Sequence, residues 1–417
     1  TSFSQQTLPH CWWYFVSIVN SSVISNSKLK PFTYNPVKPW IDDHVFNLIK
    51  VKRKLWHKFK RTGSVVDYRS HRAFSNELSK TIFNKKKTYE ENLISYNKNK
   101  FFEYVRSSLS SKVSHPILRT NDGKVTDDKA LIANMFVEAF TKSYTSISKS
   151  VSYPNILSMR IVDSLTSIIF DSKTVEDLLN KIKISTSPGL DLLSPLLLKS
   201  CSRSLSLPLS LIMQKSFNEG CLPDVWKTAS VTPIFKKGDK LDVNNYRPIS
   251  LTPIVTEIME RIIVTNMYRF CAQHNIIPKT QHGFMPGRSV VTNLLICIND
   301  WTLALNNNHP IDVIYLDFSK AFDKVPHAAL LLKLDHTGFR GQLLSWIKAY
   351  LSDRKFCVRV GDHFSDFTAV SSGVPQGSVL GPLLFLIYVA DLPLHVKCKI
   401  SSFADDSKLY GNPHSCH

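Results

Sequence analysis

The chain has 417 residues, 43% of them hydrophobic, with 52 Lys and Arg against 33 Asp and Glu, a formal net charge of +19. At roughly 150 residues per domain this length suffices for two or three domains, whose cores need no disulfide or metal, so global disorder is excluded. The basic excess points to a polyanionic partner, nucleic acid before anionic membrane, because Lys and Arg gain free energy by displacing counterions from phosphates.

Eight cysteines are scattered without a C-x-x-C pair. They read as reduced thiols, with no disulfide-linked partner. The closing His414-Ser-Cys416-His417 lacks the paired spacing of a structural zinc site. No run reaches the ~18 apolar residues of a membrane span, and Cys11-Trp-Trp-Tyr-Phe-Val16 has neither a basic n-region nor a cleavage site. No membrane partner is expected. Both ends, at Thr1 and after Cys416-His417, look cut.

Along the chain, residues 50–112 carry 17 Lys and Arg against 5 Asp and Glu, a net of +12, interleaved with ten aromatic residues. The spacings Leu55/Phe59 and Tyr89/Leu93/Tyr96 predict amphipathic helices with basic outer faces. Such a region is either a solvated helical face or a nucleic-acid contact, and charge clustering favours the contact. Residues 143–154 are Ser-rich and end at a proline, which predicts a linker and a domain boundary near residue 155. Beyond residue 174 the apolar periodicity is denser and regularly punctuated, with no repeat of solenoid period.

Ile311-Asp-Val-Ile-Tyr-Leu-Asp317 predicts a buried strand ending in a carboxylate. Asp317 by itself could be a salt-bridge partner, a helix cap or a metal ligand. The stretch 399–410 alternates like two strands folded about Asp405-Asp406, a hairpin with carboxylates at its tip. Asp-Asp is good turn chemistry in its own right. If the two elements lie side by side, three carboxylates converge. Like charges ~4 Å apart repel by about 1 kcal/mol in water and by more near a protein surface. Divalent cations relieve that repulsion, and oxygen-only ligation selects Mg²⁺, with Mn²⁺ as a substitute. Two such ions can support in-line phosphoryl displacement.

Seven segments then occur in order: Ser187-Pro-Gly-Leu-Asp191, Pro233-Ile-Phe-Lys-Lys-Gly-Asp239, Asn245-Tyr-Arg-Pro-Ile-Ser-Leu251, Gln281-His-Gly-Phe284, Tyr315-Leu-Asp-Phe-Ser-Lys-Ala-Phe-Asp323, Gly373-Val-Pro-Gln-Gly-Ser-Val-Leu-Gly-Pro382 and Phe403-Ala-Asp-Asp406. The series closely resembles the reverse transcriptases of non-LTR (LINE-type) retrotransposons. The resemblance implies an α+β right-hand polymerase fold, with fingers and a partial palm built on an antiparallel sheet with packed helices. It implies a basic, mostly helical upstream region and linker over residues 1–155, fingers over 156–310 and an incomplete palm over 311–417. The activity implied is RNA-directed DNA polymerisation, with an RNA template, a DNA primer and dNTPs as partners and two Mg²⁺ ions as cofactors.

Residue by residue, Asp317, Asp405 and Asp406 match the metal ligands. Phe322 matches the bulky residue that leaves no room for a ribose 2′-hydroxyl, and is otherwise ordinary core packing. Gln376 and Gly377 match the segment beside the templating pair, where Gln376 could equally be a structural turn residue. Lys236 or Lys237, with Arg247, would hold the triphosphate, with solvated loop charges as the alternative. Gln281, Gly283, Phe284 and Arg288 match the segment that guides the template, though Arg288 could be a surface cation.

The resemblance stops 11 residues after Asp406, before the primer-gripping hairpin and thumb of a complete enzyme. The fragment is therefore expected to be weak or inactive alone, since positioning supplies much of the rate in phosphoryl transfer. Residues 1–160 show no endonuclease signature. Nuclear action follows from the resemblance, and cytoplasmic residence fits equally. The competing readings are a non-catalytic RNA-binding remnant of a decayed element and, opposed by Phe322, an RNA-directed RNA polymerase.

Overall fold

The computed structural model describes residues 6–26, 38–96, 100–102, 104–105, 115–145 and 160–413. Most of the linker predicted at 143–154, together with the terminal His-Ser-Cys-His, lies outside the described residues. The chain divides into two compact units, Asn26–Ser114 on the one hand and Thr1–Ser25 with His115–His417 on the other.

The smaller unit holds a helical pair, Asp43–Thr62 and Val65–Tyr96. The Asp42 side chain accepts from the Val45 N–H at 3.0 Å, satisfying one of the donors a helix start leaves open. Gly63, at φ 64°, ends the first helix in the left-handed conformation that glycine adopts without strain. Across the turn, Trp56 meets His71 at 5.0 Å and Phe59 meets Tyr68 at 5.2 Å between ring centres. The predicted helices are present, and their lysines lie mostly on exposed faces.

The larger unit does not begin near residue 155. The helix Lys129–Thr141 buries Ile132, Phe136 and Phe140 in one apolar cluster with Val231, Phe356 and Val358 of the following sheet. The helix Leu8–Asn26 joins the same unit, with Trp12 edge-on to Trp226 at 5.1 Å. The weak pattern at 143–154 suggested a boundary there, yet it interrupts a unit whose apolar faces on either side are committed to one another. Composition cannot reveal that.

In chain order the strands are β1 (Leu118–Arg119), β2 (Val125–Thr126), β3 (Thr228–Phe235), β4 (Tyr246–Leu251), β5 (Asp312–Asp317), β6 (Lys355–Val360), β7 (His363–Phe364), β8 (Thr368–Ala369), β9 (Lys399–Phe403) and β10 (Asp406–Gly411). β1 and β2 form a two-stranded ribbon. A mixed sheet runs β4-β3-β6-β7, with β8 also on β6 and β3 parallel to β6. A wholly antiparallel sheet runs β5-β10-β9. The main core surrounds the helix Ile254–Gln273, where Met259, Ile263 and Met267 meet the fully buried Trp226, Trp346 and Tyr350. Buried rings of this size dominate core energetics, and the Trp346 indole N–H finds its partner in Ser216 Oγ at 3.2 Å.

The strand over 311–317 forms, but it is not buried as predicted. Ile314 is 58% and Tyr315 70% exposed, because β5 lies at the edge of its sheet with β10 as its one neighbour among the described residues. Among the described residues no helix is long and apolar enough to cross a membrane, and no disulfide joins the seven described cysteines.

Asp191, from the first of the quoted segments, has Oδ1 within 3.4 Å of the Leu193 N–H and a buried Oδ2 with no partner among the described residues. Burial pushes this carboxyl up to about 6. The folded state thus holds a proton that the unfolded chain loses near 3.8. The associated stability is fully present below that value and is lost as pH rises through about 6. Asp191→Asn is therefore expected to stabilise the chain at pH 8 by on the order of 1 kcal/mol and to change little at pH 3.5, measured by urea unfolding.

Candidate active site

The site grows from the three-stranded sheet. β10 pairs with β5 so that Asp406 lies directly opposite Asp317, and with β9 so that Asp406 lies opposite Phe403. Directly opposed residues of an antiparallel pair project to the same face, so both carboxylates leave the sheet together. The β9–β10 connection is the two-residue turn Ala404-Asp405, which differs from the predicted Asp-Asp tip. Asp405 occupies the turn and Asp406 begins the strand. Ala404 sits at φ 58°, where glycine is the usual occupant.

Burial, followed by the charges of Asp406 and Asp317, holds the Asp405 carboxyl above its ordinary range, while Arg247 pulls the other way. Among the described residues no group of three His, Cys, Asp or Glu is close enough to enclose a metal.

Asp317 and Asp405 line a cleft of about 670 Å³ that also takes in Lys236, Arg247, Phe284, Phe322, Gln376 and Gly377. Arg247 lies on β4, paired with Ile234 of β3, and Lys236 follows β3 immediately, its N–H donating to the Asn245 carbonyl at 2.8 Å. Lys237 is exposed and does not line the cleft. Phe322 stacks on Phe385 at 4.4 Å and meets Phe284 edge-on at 6.1 Å. Its ring is thus held in place by packing while still bordering open space.

Two of the quoted segments interlock behind Phe322. The Gly373 N–H donates to the Val325 carbonyl at 2.8 Å and the Val374 N–H to the Phe322 carbonyl at 2.9 Å. Gly373 stands at φ 88°, and a Cβ there would lie 2.7 Å from backbone atoms of Asp323, so only glycine lets the two segments approach this closely. Gln376 donates through Nε2 to Asp323 Oδ1 at 2.8 Å, and its carbonyl accepts from the Ser250 N–H at 2.9 Å. Its side-chain amide is therefore tied to the protein as well as bordering the cleft.

Three template candidates turn inward instead. Gln281 is 3% exposed, spends its amide on the backbone and does not line the cleft. Gly283 packs against the Ala404 backbone. The Arg288 guanidinium donates to the carbonyls of Lys279, at 2.9 Å, and Gln281, closing its own loop. Phe284 alone of the four reaches the cleft, half-exposed at φ 56°. The motif predicted a segment, but side-chain direction depends on where the chain turns.

Sequence reasoning missed three contributors. Asp323 closed a quoted segment but received no role. Lys320, at φ 52°, donates to Ser143 Oγ at 2.6 Å, and Thr145 Oγ1 donates to the Lys324 carbonyl at 2.9 Å, so residues upstream of 155 wall the cleft. Glu260 is a fully buried carboxylate whose Oε2 accepts from the N–H groups of Val379 and Leu380 at 2.8 and 2.9 Å. Acids inside the otherwise apolar run Ile254-Val-Thr-Glu-Ile-Met-Glu260 were the available signal.

Residues 234–417 match the family described as reverse transcriptase (RNA-dependent DNA polymerase). Together with the ordered motifs and the carboxylate-bearing sheet, this makes that part of the chain similar to reverse transcriptase domains. The chain is 29% identical over 385 residues to the RNA-directed DNA polymerase from mobile element jockey of Drosophila melanogaster, covering 88% of this chain and 42% of that protein. It is 29% identical over 314 residues to the probable RNA-directed DNA polymerase from transposon BS, and 31% identical over 243 residues to that from transposon X-element, both of Drosophila melanogaster. These alignments cover 72% and 57% of this chain and 34% and 27% of the relatives. The chain thus spans about two fifths or less of the length of these curated relatives.

Proposed function

We propose that this chain is the polymerase portion of a non-LTR retrotransposon protein, adding dNMP to a primer 3′-hydroxyl on an RNA template by two-metal nucleotidyl transfer. The observation that carries this reading is the pairing of Asp317 with Asp406, with Asp405 in the adjoining turn, at a cleft that also holds Lys236 and Arg247. On this reading β5, β9 and β10 with the helix Gly381–Tyr388 are the palm, and β3, β4 and the loop between them are fingers. The basic helical pair of the smaller unit would retain RNA.

The donor set fits the cations. It consists of carboxylates alone, and burial together with the charges of Asp406 and Asp317 raises the proton affinity of Asp405. Mg²⁺ characteristically takes one or two carboxylates and completes its shell with water and substrate phosphates. Asp317, Asp405 and Asp406 would hold the ions, which when bound supply charge neutralisation for in-line displacement. Arg247 offers a planar fork and Lys236 a point charge to the triphosphate. Phe322, braced on Phe385, presents a rigid wall to the sugar. Gln376, oriented by Asp323, borders the space for the base.

Mg²⁺-dependent extension of a primer on RNA, with dNTPs against rNTPs, tests the reading. Phe322→Ala is expected to raise incorporation of rNTPs relative to dNTPs by about tenfold or more, the scale on which steric pockets discriminate. A variant as selective as the parent would remove the gate. Equal use of both nucleotides by the parent would favour an RNA-directed RNA polymerase, and RNA binding without any extension would favour a non-catalytic remnant.

A further inference from the structure

One buried amide holds the turn that carries Asp405. Gln281 Oε1 accepts from both the Gly283 N–H and the Ala404 N–H at 2.8 Å, and its Nε2 donates to the Ala404 carbonyl at 3.2 Å. A single side chain therefore satisfies both backbone polar groups of the residue immediately before Asp405. That residue, at φ 58°, is an alanine in a conformation usually left to glycine, and such conformations persist where their surroundings over-determine them.

The chain about Gln281 is fastened to the same hairpin. The His282 N–H donates to the Ser402 carbonyl and the Ser402 N–H to the Thr280 carbonyl, each at 2.9 Å. These bonds lay residues 280–282 along the free edge of β9. Asn293, buried, donates to Ser401 Oγ at 2.7 Å and the Ser402 carbonyl at 3.1 Å, and accepts from Lys408 Nζ at 2.7 Å. The spacing Gln281-His-Gly283 has its own reason. A Cβ on residue 283 would lie 2.2 Å from the Ala404 nitrogen, so only glycine admits the turn beneath the amide.

We infer that Gln281 is a positioning residue for Asp405, acting through the Ala404 peptide, with Gly283 as its steric counterpart. This rests on the reading of Asp405 as a catalytic carboxylate, and it gives the Gln-x-Gly segment an inward role distinct from contact with template.

Amide exchange of the whole chain, followed at Ala404, tests the brace without requiring turnover. Gln281→Met keeps the volume and removes all three hydrogen bonds. It is expected to speed exchange at Ala404 by about tenfold or more, the effect of losing a buried acceptor, with the helix Ile254–Gln273 as slow as in the parent. In primer extension the same variant should lower kcat with the KM for dNTP unchanged. Gln281→Asn, one methylene too short to span the turn, should behave alike and serves if the Met variant does not fold. Unchanged exchange at Ala404 in the folded variant would overturn the brace, and faster exchange with unchanged kcat would overturn its positioning role. Undiminished extension by Asp405→Asn would instead remove the catalytic reading and leave the exchange result standing.

Discussion

Replacing Asp405 by Asn is expected to cut Mg²⁺-dependent primer extension at least ~10³-fold, several kcal/mol of barrier, because on the proposed reading it deletes a charge that holds the cations, without changing shape. Stability should move the other way. Burial and the charges of Asp317 and Asp406 raise the Asp405 carboxyl, so folding disfavours its ionised form. The stability tied to its proton is present below the unfolded value of 3.8 and is lost as pH rises past it. At pH 7 the Asn variant should therefore have a urea midpoint no lower than the parent's. Its midpoint should fall toward the parent's as pH drops and the parent's carboxyl is protonated. Loss of function without loss of stability is the mark of a group kept at a cost to the fold. A variant that extends primers like the parent, or that is inactive only because it is unfolded at pH 7, would sink the assignment.

The second large effect is on the fold. Glu260 is fully buried, accepting from Val379 and Leu380 just before the helix Gly381–Tyr388, and from the Tyr350 hydroxyl at 3.2 Å. Its carboxyl shares this interior with Arg354, which is 3% exposed and lies over the Tyr350 ring. Glu260→Ala would leave two backbone donors, a phenol and a guanidinium without their acceptor or counter-charge. The expected cost is about 3–5 kcal/mol, read from urea unfolding. The damage reaches the cleft, because Val379 and Leu380 follow directly on Gln376, Gly377 and Ser378, which border it. Glu260→Gln keeps an acceptor and should lose less than half as much. An alanine variant within ~1 kcal/mol of the parent would show that water replaces the carboxylate.

Much of this site was legible in the chain. The β-branched run ending at Asp317, the alternation around Asp405-Asp406 and the glycines of the 373–377 segment each follow from local rules of strand, hairpin and turn. Together with the ordered motifs they pointed to a reverse transcriptase, and the family match agrees. The apolar residues after Ser378 form a buried helix, Gly381–Tyr388. Reach and direction were not legible. Gln281 and Arg288 are polar residues in a motif, and nothing local says whether their hydrogen bonds go to a ligand or to the protein's own backbone. Ser143 and Thr145 sit in a stretch that reads as linker, yet they bond across the fold to Lys320 and Lys324.

The sequence by itself determined which chemistry is present, because carboxylates, cations and turn-forming glycines are properties of residue type and spacing. Only the tertiary structure decided how they serve. Register set Asp406 against Asp317 across 88 intervening residues. Packing turned Gln281 onto the Ala404 peptide, and an edge position left β5 exposed where its composition predicted burial. Each of these depends on which distant element arrives alongside, and that is decided by the total burial and hydrogen bonding of the whole fold, which no window of sequence contains.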